Sequence, residues 1–148
     1  MRLLALILAA GAAQAQAPPL GSAPVDAKLA ARTFEAACLA TRPSFAGAPD
    51  ALAAQGFALN PESGTFYHPR FDLSVQPTDR CSMVFGSADA PGALALVMGT
   101  VAATALGGDV EVDPATGDAR VATAEGTFTF GPFEAPDGRT FFRALLQP

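Results

Sequence analysis

The sequence has one histidine, two cysteines and no tryptophan in 148 residues. A zinc-type centre needs three or four histidine or cysteine ligands at close spacing, and neither paired histidines nor a Cys-x-x-Cys exists to supply them. The same lack removes a dithiol redox motif. Basic residues are scarce as well: nine Lys and Arg stand against fourteen Asp and Glu, giving a formal net charge of −5. That balance repels polyanions and no basic run offsets it, so nucleic acid is not an expected partner. There is no phosphate-cradling glycine loop and no G-x-S-x-G nucleophile motif. No apolar run reaches the roughly 20 residues that cross a bilayer. Neither a metal site nor a cofactor is expected, and no assembled catalytic set can be named.

The N-terminus carries the strongest signal. Met1-Arg2 is a short positive start, Leu3 to Ala10 is unbroken apolar sequence, and Ala13-Gln14-Ala15 has the small-residue spacing that signal peptidase reads. Residues 1–15 therefore read as a cleaved secretory signal peptide. No cysteine follows to carry a lipid. Residues 16–21 read as a flexible leader and 22–148 as a single domain. The alanine-rich composition suits a bacterial chain exported to the periplasm or secreted. In an oxidising compartment Cys38 and Cys81 are expected to form a disulfide.

Helical spacing of Ala30, Phe34, Ala37 and Cys38 predicts a first helix to about Ala40, capped by Ser22 or Asp26 and ended at Arg42-Pro43. A second helix is expected over about Pro49 to Gln55, with Gly56 as its left-handed stop and Phe57 folding back on Leu52. The period then changes to two. Thr65 to Tyr67, the set Phe71, Leu73 and Val75, and the set Cys81, Met83 and Phe85 read as three strands. Ser87 or Asp89 is expected to open a third helix through Ala93 to Leu106, closed by Gly107-Gly108. That helix is apolar on nearly every side, so it needs cover from the rest of the chain or from a second copy, with Gly99 and Ala103 allowing close approach. About four strands follow, with turns at Asp113 to Gly117, Glu125-Gly126 and Pro136 to Gly138. The expected fold is α+β: a mostly antiparallel, twisted sheet of about 5–7 strands, with two N-terminal helices and one buried apolar helix on one face.

The last strand has the most suggestive pattern. Alternation puts Arg139, Phe141 and Arg143 on one face, opposite a core set of Phe142, Ala144 and Leu146. Arginine and aromatic residues are enriched where proteins grip partners, so these three form a candidate partner-binding site. A charge-protected edge strand would show the same pattern. His68, in Tyr67-His68-Pro69-Arg70, is a weaker candidate that also reads as a plain turn residue. An enzyme would draw on His68, Asp72 and Ser87. The carboxylates of Asp109, Glu111, Asp113 and Asp118 depart from a calcium loop at Pro114 and Arg120 and read as a solvated strand face. The leading expectation is a non-enzymatic exported protein that binds another protein or an envelope component. A carrier of a small apolar ligand is second and a small hydrolase-like enzyme third.

Overall fold

The computed structural model describes residues 20–148. The expected signal peptide and residues 16–19 of the leader lie outside the described residues. The Gly21 N–H donates to the His68 carbonyl at 2.9 Å, and Ala23 forms a parallel bridge to Phe71.

Helix α1 runs Ala27–Phe34 and is capped by Asp26, whose Oδ1 accepts from the Leu29 N–H at 2.7 Å. Its predicted inner face is buried at Ala30 and Phe34. Past Phe34 the helix widens: Glu35–Leu39 is a π-helical turn, closed by the Ala40 N–H donating to the Glu35 carbonyl. Helix α2 is Ala48–Ala54. Gly56 stops it at φ +85°, and the Phe57 N–H returns to the Leu52 carbonyl.

Strands β1 (Ala58–Asn60), β2 (Thr65–Tyr67), β3 (Leu73–Pro77) and β4 (Cys81–Phe85) follow. Helix α3 is Pro91–Leu106. Strands β5 (Glu111–Asp113), β6 (Asp118–Thr123), β7 (Gly126–Glu134) and β8 (Thr140–Gln147) complete the chain. All eight form one antiparallel sheet in the order β1-β2-β3-β4-β8-β7-β6-β5. The strand beyond the expected 5–7 is β1, a short edge piece whose Leu59 is exposed and whose Ala-Leu-Asn sequence lacks strand-forming residues.

The strand order reads the same from both edges. Each half is a four-strand meander preceded by helix, α1, the π turn and α2 in the first and α3 in the second, and β4 and β8 join the halves. One cross-strand row spans the full width: Leu59, Phe66, Val75, Met83, Ala144, Phe130, Ala119 and Val112. The helices pack on this face. Helix α3 lies against β5, β6 and β7, the π turn touches β3, and the Phe34 ring meets Phe128 edge-on at 5.4 Å. Side chains of alternate rows point to the other face.

Helix α3 buries Leu94, Ala95, Met98, Gly99, Ala102 and Leu106 within its own chain. Gly99 is the contact point with the sheet, since a Cβ there would lie 2.5 Å from Val110 Cγ2 and 3.2 Å from Ala119 Cβ. The close approach that sequence suggested for a neighbour is thus used by the sheet itself. Leu96, Thr100 and Thr104 remain exposed, with both threonine hydroxyls donating to carbonyls one turn back.

The expected cap of α3 differs. Ala90 stands at the cap position without a side-chain bond, and Pro91 in the first turn removes one donor that a cap would satisfy. Ser87 Oγ accepts from the Asp89 N–H, and Asp89 Oδ2 accepts from the Ala27 N–H at 2.9 Å. Asp89 therefore serves the start of α1. Cys38 and Cys81 form the expected disulfide, with Cα atoms 5.6 Å apart and both residues fully buried. It fastens the π turn to β4.

Candidate functional site

The helices leave the second face of the sheet open. At its centre, register places Tyr67, Ser74, Val84, Arg143 and Gly131 in one row, with Gln76, Ser82, Leu145 and Thr129 in the next. The β2–β4 side of this face forms a cleft of about 540 Å³. Its hydrogen-bonding groups are hydroxyls and an amide, its cations are Arg80 and Arg143, and no carboxylate lines it.

The expected trio comes together beside this cleft and gains a fourth member. Arg139 stands in the turn before β8, its Nε 2.7 Å from Asp137 Oδ2. The Arg139 backbone N–H, and then its guanidinium, hold the Asp137 carboxyl below its ordinary range. The guanidinium also lies 5.0 Å from the Phe141 ring centre. Phe141 stacks on Phe133 at 5.9 Å, and Arg143 covers the Phe133 ring at 4.7 Å. The result is a continuous series of cation, ring, ring and cation across β7 and β8. Contacts of this kind are worth about 0.5–2 kcal/mol each, more when desolvated.

Phe133 was not legible as a member. Gly131-Pro132 interrupts the alternation of β7, and only the pairing Phe133↔Phe141 shows that the two rings share a face. The edge-strand reading of the last strand is corrected here. β8 lies between β4 and β7, so Arg143 sits at the middle of the sheet and protects no edge. The edges are β1 and β5. On β5, Glu111 stands opposite Arg120, and Asp113 Oδ1 accepts from the Ala115 and Thr116 N–H groups of the hairpin. Among the described residues no cluster of three or more metal-ligating side chains forms.

His68 is half-buried between the Phe57 and Phe71 rings, with centres 5.1 Å and 5.0 Å away. Its Nδ1 accepts from the backbone N–H groups of Arg70 and Phe71, both at 3.1 Å. Nδ1 is therefore the unprotonated nitrogen and Nε2 carries the proton. Burial, and secondarily the Arg70 charge, lower its pKa and keep the ring neutral.

Asp72 lies beside Gly86, whose N–H donates to the Asp72 carbonyl at 3.0 Å. Partial burial raises its carboxyl above the usual range while Arg139 pulls it down. Ser87 spends its hydroxyl oxygen on the Asp89 N–H. Hydrogen bonds among the described residues join none of His68, Asp72 and Ser87 to another, so the residues an enzyme reading would draw on are not assembled into a relay. Comparison with protein-family models, curated protein sequences and solved structures finds no match to this chain.

Proposed function

We propose that this chain is an exported, non-enzymatic binding protein whose open sheet face grips an anionic component of the cell envelope. The observation that carries the reading is the pair of stacked phenylalanines, each covered by an arginine, on the uncovered face at the turn end of the central strands β7 and β8. A free-standing face could tolerate polar residues alone. Two large rings and an unpaired cation on central strands are better accounted for by a partner. The neighbouring cleft supports the sign of that partner, because its only charges are Arg80 and Arg143 in a chain that is acidic overall. The N-terminal signal and the Cys38–Cys81 crosslink support export.

Co-sedimentation of the purified protein with isolated cell envelopes tests this. Wild-type protein is expected to co-sediment at low salt and to be released at high salt, since screening weakens exposed charge contacts. Arg143→Glu and Phe133→Ala should each weaken retention at least tenfold while retaining the folded circular dichroism spectrum. Absence of wild-type retention, or retention unaltered by both substitutions, overturns the proposal.

A further inference from the structure

A second concavity lies on the helical side, away from the open face. It is a groove of about 600 Å³ between α1 and α2, reaching Phe57 and His68. Its walls are mostly apolar: Leu29, Ala36, Ala51, Ala54 and Phe57. That volume falls within the roughly 300–1,000 Å³ typical of small-molecule sites.

Four polar residues line the groove; Gln55 donates its side-chain amide N–H to the Ala51 carbonyl, and the other three are suited to donate to a ligand. Thr33 is fully buried, and its Oγ1 has no hydrogen-bond partner among the described residues, the only such buried side-chain atom there. Buried hydroxyls are paired in the great majority of folded proteins, so this one calls for an explanation. It sits two residues before the π turn, a helix irregularity often found at functional sites. His68 also lines the groove, and with Nδ1 committed to its own turn, Nε2–H is the ring group left for a ligand. Arg32 supplies a positive charge with no carboxylate partner among the described residues. No acidic side chain lines the groove.

We infer that this groove binds a small molecule with an apolar body and a carboxylate headgroup, the headgroup taking hydrogen bonds from Thr33, His68 and Arg32. The inference does not depend on the open sheet face, which lies on the other side of the sheet. It places a small-ligand site at the helix pair, away from the apolar α3. An unmet hydroxyl is a local cost to the empty protein, and a bound carboxylate removes it.

Decanoate is the probe, with decylammonium as a matched chain of opposite charge. Calorimetric titration of the purified chain should show saturable binding of decanoate and none of decylammonium. Thr33→Val keeps the side-chain shape and removes the hydroxyl. It should weaken decanoate binding about fivefold while raising the melting temperature of the ligand-free protein. Arg32→Gln, at an exposed position, should weaken binding about tenfold. Ala54→Trp, on the exposed lip of α2, should fill the groove and abolish binding without unfolding the domain. Absence of decanoate binding at millimolar concentration overturns the inference. So do equal binding of decylammonium and unchanged affinity in Ala54→Trp.

Discussion

Removing the Cys38–Cys81 crosslink should cost about 4 kcal/mol. The bridge closes a loop of 43 residues, and loop-closure entropy for that length gives this figure. The substitution to make is Cys38→Ala with Cys81→Ala. Serine would add two buried hydroxyls, because both positions are wholly inaccessible, and would confuse the crosslink with a desolvation penalty. For a domain of this size about 4 kcal/mol corresponds to a drop of about 12–16 °C in Tm. The loss acts on the unfolded chain, which the bridge keeps compact. Urea unfolding should therefore show a lower midpoint together with a steeper dependence on denaturant, as the unlinked chain exposes more surface. Each single alanine variant should match the double variant to within about 1 kcal/mol, and reduced wild-type protein should match all three. A loss below about 1 kcal/mol, or a marked difference between the two single variants, would refute the view of the bridge as a clamp between the π turn and β4.

Two further measurements probe the packing and the histidine. Gly99→Ala should lower stability by up to about 2 kcal/mol in urea titration, because a new methyl group forces Val110 aside at a cost of about 1–3 kcal/mol and the helix-propensity gain is about 1 kcal/mol; a stability gain would show that α3 sits further from the sheet. His68 has a lowered pKa, so its contribution is whole above its ordinary value of about 6.5 and is lost as pH falls from there through the folded value, the unfolded chain taking up the proton first. As the sole histidine it should account for a fall in urea midpoint as pH drops below about 6.5 that His68→Asn lacks. ¹⁵N spectra at pH 7 should show Nδ1 unprotonated, and a protonated Nδ1 would contradict its two accepted hydrogen bonds.

Features set by neighbouring residues were legible in the sequence. The alternation of Leu73 and Val75 with Ser74 and Gln76, the stops at Gly56 and Gly107, and the hairpin at Gly117 all depend on local sterics or on one buried face. The helix-to-strand crosslink was legible from the cysteine count and the expectation of export. What escaped was set by distant partners. Whether Arg139 to Leu146 is an edge or a centre depends on which strands pair with it, and no property of those residues records that. Asp89 looks like a cap for the helix beside it, yet its carboxylate reaches the start of α1, 62 residues earlier. Thr33 carries no sequence mark at all. Its lack of a partner emerges only from the packing of α1.

The placement of β8 has a consequence for how the sheet closes. β8 is the keystone that joins the two meanders, so the sheet stays in two pieces until that strand docks. Until then β4 and β7 each have an unoccupied border. Proteolytic loss of β8 would split the sheet through its middle, leaving two half-sheets with bare inner margins.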